Sequence, residues 1–234
     1  MTIFAAREPA PTGNLSLPFG PIEVGFDETV LRPRSWTLAQ SEWAAELAAG
    51  GGPLLEVGCG AGHIGLAAAV LSGAPLVQVD LDPAACRWAG RNAAANGWAD
   101  RAEQRCGTAG EVLAPDERFA VIVADPPYVP TEEVAQYPDD PVGAIDGGPD
   151  GLGSVRAFLI DVADHMSPGG SVLVQVRGAD QVDLLSGWLA HPASPALVVR
   201  EARFYGELRA VARLGQGSSV QSESDRGRNR DSSS

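Results

Sequence analysis

Residues 54–65 read Leu-Leu-Glu-Val-Gly-Cys-Gly-Ala-Gly-His-Ile-Gly, and this stretch decides the fold. Its apolar start predicts a short buried strand, and the alternating glycines predict a tight turn into a helix. Glycine allows a positive φ and a close approach of the backbone to a ligand, as in nucleotide-binding turns between strand and helix. The stretch therefore predicts an α/β fold with a ligand at the end of this strand.

The spacing of the glycines narrows the choice of ligand. They stand at positions 58, 60 and 62, whereas the dinucleotide fingerprint places its third glycine one residue later, where this chain has His63. Asp80 closes the next apolar run, at a place where a carboxylate accepts both ribose hydroxyls of a nucleoside. A helix cap is the competing role, but Asp82, directly before Pro83, fits that role better. For His63 a ligand contact and an exposed helix position both stay open.

Strand and helix patterns alternate along most of the chain. Alternation predicts βαβ units and a doubly wound Rossmann-like sheet, mostly parallel, with helices on both faces and a C-terminal antiparallel hairpin. The predicted strands are 54–57, 76–80, 102–106, 120–124, 171–176, 196–204 and 207–214, and the predicted helices are 37–49, 62–71, 83–96, 153–165 and 180–189.

Three parts of the chain are expected from these patterns. Residues 1–50 form an N-terminal lobe, with an unstructured opening to about Thr12, a hairpin within 15–31 and one helix. Residues 51–214 form the Rossmann-like domain. Residues 215–234 are rich in Ser, Gly, Asp and Arg, and we expect a disordered tail there.

A second motif, Ala124-Asp-Pro-Pro-Tyr-Val-Pro130, directly follows an apolar run. Proline fixes φ, lacks an N–H and pushes the preceding residue toward extended geometry. The carbonyls of this corner therefore stay out of helices and sheet ladders and point into the cavity that the loop borders. With the carboxylate of Asp125 and the ring of Tyr128, these oxygens suit a planar NH2 group. An ordinary proline-rich turn is the alternative that the motif alone leaves open.

The glycine loop, Asp80 and this corner together resemble the class I S-adenosylmethionine-dependent methyltransferases over roughly residues 51–214. Nicotinamide-dependent dehydrogenases share the fold, but the corner has no role in hydride transfer. The resemblance implies that the glycine loop wraps the methionine part of S-adenosyl-L-methionine, that Asp80 holds the ribose and that the corner faces the methyl. It implies as cofactor-binding residues Thr37, Glu56, Gly58, Cys59, Gly60, Gly62, Asp80, Leu81, Gly107, Thr108 and Asp125, and as catalytic residues Asp125, Pro126, Pro127 and Tyr128.

The segment Ala144-Ile-Asp-Gly-Gly-Pro-Asp-Gly-Leu152 extends the resemblance to the HemK/PrmC-type protein glutamine N5-methyltransferases, which modify peptide-release factors. Upstream, Arg32-Pro-Arg-Ser-Trp-Thr37 is similar to a Pro-Arg-Pro-x-Thr segment of that family. This similarity implies substrate contacts from Arg34, Trp36 and Tyr128. A surface arginine and a helix N-cap are the alternatives for Arg34 and Thr37.

Two departures from that family leave the methyl acceptor open. The family's corner begins with asparagine, whereas an aspartate such as Asp125 is commoner in enzymes that methylate exocyclic amines of adenine or guanine. The family's acidic residue near the adenine is replaced by Thr108. A protein glutamine amide is our leading prediction. A nucleobase in RNA or DNA, a small molecule and a cofactor-binding protein without activity are the alternatives.

Two groups of side chains complete the predicted site. Asp125 and the Pro126 carbonyl are expected to bind both N–H groups of the acceptor, and Tyr128 to pack against it. Proton removal by Asp125 is a second role that stays open. The acidic residues of the loop that follows are expected to be solvated, and a place at the border of the substrate entrance is the alternative: Asp139, Asp140 and Asp146.

Composition restricts the remaining possibilities. The formal net charge of −13 disfavours binding to polyanions, although a local arginine patch would change that. No apolar run is long enough to span a bilayer, and the N-terminus has no secretory pattern. The three cysteines have no metal-ligand spacing, so we expect reduced thiols, no metal and a cytoplasmic protein. The sequence leaves the oligomeric state open.

Overall fold

A computed structural model describes residues 15–138 and 140–217. The expected unstructured opening, Asp139 and nearly all of the expected tail lie outside the described residues. Strands β1 (Leu15–Phe19) and β2 (Ile22–Phe26) form the predicted N-terminal hairpin.

Seven further strands form one sheet that follows the prediction. They are β3 (Leu54–Val57), β4 (Leu76–Asp80), β5 (Ala102–Cys106), β6 (Phe119–Ala124), β7 (Met166–Val176), β8 (Leu197–Phe204) and β9 (Ala210–Gln216). Their order is β5-β4-β3-β6-β7-β9-β8; neighbours are parallel from β5 to β7, and β9 is antiparallel to both β7 and β8. The predicted fold class is therefore confirmed.

Helices cover both faces of the sheet. They are α1 (Leu38–Ala48), α2 (His63–Ser72), α3 (Pro83–Ala95), α4 (Ala109–Val112), α5 (Val142–Ile145), α6 (Gly153–Val162) and α7 (Gly178–Leu189). Leu54 packs in a hydrophobic cluster with α1, α2 and the hairpin, while its neighbour Leu55 packs in a second cluster with α6 and α7. Adjacent strand residues face opposite sides, so the chain builds two cores around one sheet. Within the described residues, no helix is long and apolar enough to cross a membrane.

Three strand ends differ from the prediction by two residues or more. β7 begins at Met166, not at residue 171, since residues 167–170 bulge out where β7 pairs with β6. In the closing hairpin the connection is longer than Tyr205-Gly206, because β9 starts only at Ala210. β9 then continues past the expected boundary at 215, since Gly215 and Gln216 still pair with β8.

The expectation of three reduced cysteines is wrong for two of them. Helix α3 packs over β5, which brings the Cα atoms of Cys86 and Cys106 to 6.1 Å, and their sulfur atoms form a disulfide. Cys59 is the remaining free thiol and is buried.

The hairpin and α1 are attached to the sheet through buried amides. Asn92 of α3 accepts a hydrogen bond from the Gly25 N–H and donates to the carbonyls of Gly25 and Ala61, which ties the hairpin to the glycine turn. Gln40 of α1 donates to the carbonyls of Ala124 and Leu173, at 3.0 and 3.1 Å. The Ala124 bond fixes the end of β6, where the Asp-Pro-Pro-Tyr corner begins.

We predict that Gln40→Leu lowers the free energy of unfolding by about 2–4 kcal/mol, because it leaves buried carbonyls without donors. The Gln175 side chain, which donates to Gln40 Oε1 at 2.6 Å, also loses its partner. Urea unfolding followed by circular dichroism measures the change. Gln136→Leu makes the same chemical change at an exposed position and is the control. Equal losses in the two variants would contradict this role for Gln40.

Candidate active site

The glycine turn between β3 and α2 borders open space. Gly58, Gly60 and Gly62 have φ values of 68°, 52° and 75°, in the left-handed region that favours glycine. A Cβ built on Gly58 or Gly60 meets no atom within 4 Å, whereas one on Gly62 lies 3.0 Å from the Ala89 backbone. The first two glycines thus leave room for a ligand against the backbone, and the third is needed for packing against α3.

Glu56 lies behind this turn and supports it. The side chain is 3% exposed and accepts a 2.7 Å hydrogen bond from Gln78 Nε2, which also donates to the Gly62 carbonyl. Burial raises the pKa of Glu56 to about 7. The structure therefore places this predicted cofactor-binding residue in contact with the turn itself.

Asp80 lies at the carboxyl end of β4, next to the same turn. Its Oδ2 accepts the Gly60 N–H at 2.8 Å, and its Oδ1 accepts the Asp82 N–H at 2.9 Å. These bonds fix the plane of the carboxylate, and burial raises the pKa of Asp80. Asp82 caps α3 by accepting the Ala84 N–H at 2.7 Å, as predicted.

The predicted adenine side of the site is formed by the ends of β4 and β5. Leu81 is 70% exposed and offers an apolar surface there. Gly107, with φ of 147°, donates its N–H to the Asp80 carbonyl. The Thr108 hydroxyl forms a capping box with Glu111 at the start of α4. The Thr108 N–H also donates to Glu111 Oε2 at 3.0 Å, and the Thr108 carbonyl accepts the Glu111 and Val112 N–H groups, so both the side chain and the backbone of Thr108 are engaged within α4.

The corner after β6 is braced from behind by the downstream glycine segment. Val129 donates its N–H to the Ile145 carbonyl, and the Gly147 N–H donates to the Val129 carbonyl. A Cβ on Gly151 would lie 2.4 Å from the Tyr128 carbonyl oxygen, so a side chain there would displace the corner. The Ala144–Leu152 segment singled out in the sequence therefore packs directly on the Asp-Pro-Pro-Tyr corner.

Asp125 is a half-buried carboxyl at the start of the corner. Burial raises its pKa to about 7, and the nearby Arg34 opposes this shift. Burial also raises the pKa of the Tyr128 hydroxyl, which keeps that group neutral at physiological pH. The corner therefore carries one group that changes charge near neutral pH.

The corner forms one wall of a cavity of about 170 Å³. Arg34 and Trp36, both predicted substrate residues, line it together with Asp125 and Tyr128. The structure thus brings the upstream and downstream parts of the predicted acceptor site together. The other lining residues come from these two segments and from four more: Leu31, Pro126, Pro127, Val129, Tyr137, Asp140, Ala144, Ile145, Arg177, Leu208 and Arg209.

Three arginines line this cavity, and two of them are neutralised. Arg34 forms an ion pair with Asp140 at 2.6 Å, and Arg177 forms one with Glu133 at 2.5 Å. The Arg209 guanidinium lies 5.1 Å from the Trp36 ring centroid, and no carboxylate of residues 15–138 or 140–217 is within 4.0 Å of it. The sequence pattern missed Arg177 and Arg209, because nothing in spacing relates them to the corner.

Two acidic residues of the loop that follows the corner have protein partners. Asp140 is held by Arg34 and also lines the cavity, and Asp146 accepts hydrogen bonds from the Thr131 hydroxyl and the Gly148 N–H. Arg34 and Asp140 are 106 positions apart in the sequence, so a local reading of the charge run could not show this ion pair.

Thr37 and His63 form a contact that the sequence did not reveal. Thr37 occupies the N-cap position of α1, but its hydroxyl accepts no N–H of that helix: it donates to the Arg34 carbonyl at 2.8 Å and lies 3.2 Å from His63 Nε2. The His63 ring packs edge-on against Phe19, and burial lowers its pKa to about 4. His63 is therefore neutral at physiological pH and bonded to the segment that carries Arg34.

The sequence and the fold are similar to those of proteins of known family. Residues 40–125 match the family model described as ribosomal protein L11 methyltransferase (PrmA). The chain is 30% identical over 198 residues to the release factor glutamine methyltransferase of Gloeobacter violaceus, covering 81% of this chain and 65% of that protein. It is 32% identical over 175 residues to the ribosomal protein uL3 glutamine methyltransferase of Bradyrhizobium diazoefficiens, covering 67% and 54%.

Similarity of fold extends further than similarity of sequence. A methyltransferase from Pyrococcus furiosus aligns with a TM-score of 0.63 at 18% identity, covering 84% of this chain and 89% of that one. The chain is therefore similar in sequence and in fold to the class I S-adenosylmethionine-dependent methyltransferases. Within that class it is similar to the glutamine methyltransferases, and it spans about half to two thirds of the length of the curated relatives named above.

We predict that Asp80→Asn weakens binding of S-adenosylhomocysteine by roughly ten-fold or more, since it replaces charged hydrogen-bond acceptors for the ribose by a neutral amide. Isothermal titration calorimetry gives the Kd. The control is Asp82→Ala, which removes a helix cap, costs about 1 kcal/mol of stability and leaves the Kd within about two-fold. An unchanged Kd in Asp80→Asn would show that Asp80 only orders the turn.

Proposed function

We propose that this chain transfers the methyl group of S-adenosyl-L-methionine to a planar NH2 group, and that the acceptor is the side-chain amide of a glutamine in a protein. The observation that carries the proposal is the corner itself, where Asp125 and two prolines line a cavity just beyond the end of β6. The choice of acceptor is supported by the similarity to the release factor and ribosomal protein uL3 glutamine methyltransferases.

The cofactor fits the residues present. The open side of Gly58 and Gly60 gives its methionine part access to backbone, and the fixed Asp80 carboxylate suits its ribose. When bound, the cofactor supplies an activated methyl group. The chain's own residues must then align the acceptor nitrogen and accept its hydrogen bonds, which lowers the barrier through orientation.

An amide nitrogen is a poor nucleophile because its lone pair is delocalised into the carbonyl. In the proposed mechanism the Asp125 carboxylate and the Pro126 carbonyl accept hydrogen bonds from the two N–H groups of the amide. These hydrogen bonds turn the nitrogen lone pair toward the methyl group. The Tyr128 and Trp36 rings border the cavity and hold the flat amide. Methyl transfer leaves the nitrogen with one proton too many, and ionised Asp125 is placed to accept it.

The ion pairs that two of the cavity arginines form favour a protein acceptor over RNA or DNA. An arginine patch facing the site would favour a nucleic acid, but Asp140 and Glu133 neutralise Arg34 and Arg177. Arg209 has no such partner among the described residues, and one arginine neutralises only one phosphate. Binding of nucleic acid by an otherwise acidic chain depends on several phosphate contacts.

Incubation of the full chain with methyl-labelled cofactor and a panel of acceptors tests the proposal. We predict label in a release factor that carries its Gly-Gly-Gln segment and none in the same protein with that glutamine replaced by alanine. Asp125→Ala should abolish transfer while the Kd for S-adenosylhomocysteine stays within about two-fold. Transfer to RNA, DNA or small molecules but not to protein would overturn the choice of acceptor, and full activity of Asp125→Ala would overturn the role of the corner.

A pH profile tests the ionised form of Asp125. Because burial raises its pKa to about 7, the carboxyl is neutral below that pH and charged above it. We predict that kcat falls about ten-fold per unit below pH 7 and is level above it. Asp125→Asn introduces the asparagine that the glutamine methyltransferase family has at this position. This variant should keep measurable activity, and its kcat should not fall below pH 7 as that of the wild type does.

Glu56 has a similar pKa, also about 7, and the controls must separate the two groups. Glu56 supports the cofactor turn, so its ionisation should change the Kd for S-adenosylhomocysteine. Asp125 should change kcat at saturating cofactor. A kcat that is flat across this range in the wild type, or a step that persists in Asp125→Asn, would contradict the proposed role of Asp125.

A further inference from the structure

Gln181, in the first turns of α7, joins three segments around the acceptor cavity. Its side chain is buried, with 4% exposure. Nε2 donates to the Tyr128 carbonyl at 2.9 Å and to the Asp150 carbonyl at 3.0 Å. Oε1 accepts the Arg177 N–H at 2.7 Å. One amide group therefore connects the corner, the glycine segment behind it and the turn between β7 and α7.

The residues that Gln181 holds lie on different sides of the cavity. Tyr128 belongs to the wall that the corner forms, and Arg177 lines the cavity from the end of β7. Arg177 in turn pairs with Glu133, on the 3₁₀ helix Thr131–Gln136 that follows the corner. The position of Gln181 therefore affects both the ring that contacts the acceptor and the ion pair beside it.

The hydrogen bond to the Tyr128 carbonyl comes from a donor outside the corner. Pro126 and Pro127 have no N–H, so no donor of their own can stabilise the local turn. A Cβ on Gly151 would lie 2.2 Å from Gln181 Nε2 and 2.4 Å from the Tyr128 carbonyl oxygen. Gln181 therefore fixes the distance between Tyr128 and the glycine segment together with the backbone hydrogen bonds that join Val129 to Ile145 and Gly147.

We propose that Gln181 is a positioning residue for the acceptor: it sets the placement of Tyr128 and Arg177 across the cavity without contacting the reacting atoms. This inference rests on the function proposed above, because it assigns the cavity to the acceptor. A purely structural role in α7 is the competing account.

Two substitutions distinguish the role of the Gln181 amide oxygen from that of its NH2 group. Gln181→Leu removes all three hydrogen bonds. Gln181→Glu keeps an oxygen for the Arg177 N–H but loses the donor to Tyr128 and Asp150. We expect KM for the release-factor acceptor to rise about ten-fold or more in both variants, with the Kd for S-adenosylhomocysteine within about two-fold of the wild type. Hydrogen exchange at the Arg177 amide should accelerate in Gln181→Leu but stay slow in Gln181→Glu.

Leu185→Ala is the matched control for stability. Leu185 is fully buried one turn further along the same helix and does not line the cavity. This variant should lower Tm at least as much as Gln181→Leu while the acceptor KM stays near the wild-type value. An acceptor KM that rises equally in Leu185→Ala would assign Gln181 a structural role only, and an unchanged KM in Gln181→Leu would overturn the inference.

Failure of the positioning role can be distinguished from failure of the proposed function. If the wild type methylates no protein, the acceptor assignment fails, and hydrogen exchange at Arg177 still reports whether the amide fixes that turn. If the wild type methylates the release factor and both Gln181 variants match it in KM, the positioning role fails while the function stands.

Discussion

The site depends on one constraint, the pair of prolines that ends β6. Pro126 and Pro127 remove two N–H donors from the corner, so its conformation must be fixed by hydrogen bonds from other segments. The surrounding structure supplies that support: Gln40 bonds the last strand carbonyl, Gln181 bonds the Tyr128 carbonyl, and the glycine segment closes the back. A rigid set of acceptors facing a cavity is what binding of a planar NH2 group requires.

The charges at the site contrast with those of the whole chain. The chain carries a formal charge of −13, yet arginines from three segments line the acceptor cavity. Arg34 lowers the pKa of Asp125 while burial raises it, and burial prevails. Buried Glu56 behind the cofactor turn has a similarly raised pKa. One carboxyl that titrates near neutral pH therefore lines the cavity, and a second lies behind the glycine turn.

Sequence patterns predicted the local features of this fold well. β3, β4 and β5 have the predicted boundaries, because each is a short run closed by glycine, proline or a turn. The Ser167-Pro-Gly-Gly170 signature misled the prediction of β7, since a bulge within a strand uses the same residues as a turn. Local patterns carry no information on whether a neighbouring strand continues the pairing.

Features that depend on tertiary contact were beyond the reach of the sequence. The pairing of Arg34 with Asp140 and the disulfide between Cys86 and Cys106 join residues that only the folded chain brings together. Gln181 lies in a helical pattern and has a polar side chain of the kind usually found on the surface, although it is buried. The corner and the glycine loop could be predicted because their motifs are local. Arg177 and Arg209, which line the same cavity from other segments, could not.

The most direct test of the central claim is a crystal structure with S-adenosylhomocysteine and a glutamine-containing release-factor peptide. The account predicts the peptide's carboxamide in the cavity beside Tyr128, with its NH2 group donating to the Asp125 carboxylate and the Pro126 carbonyl and facing the cofactor sulfur. A peptide bound elsewhere, or a carboxamide that reaches the cavity without contacting Asp125 and Pro126, would contradict it.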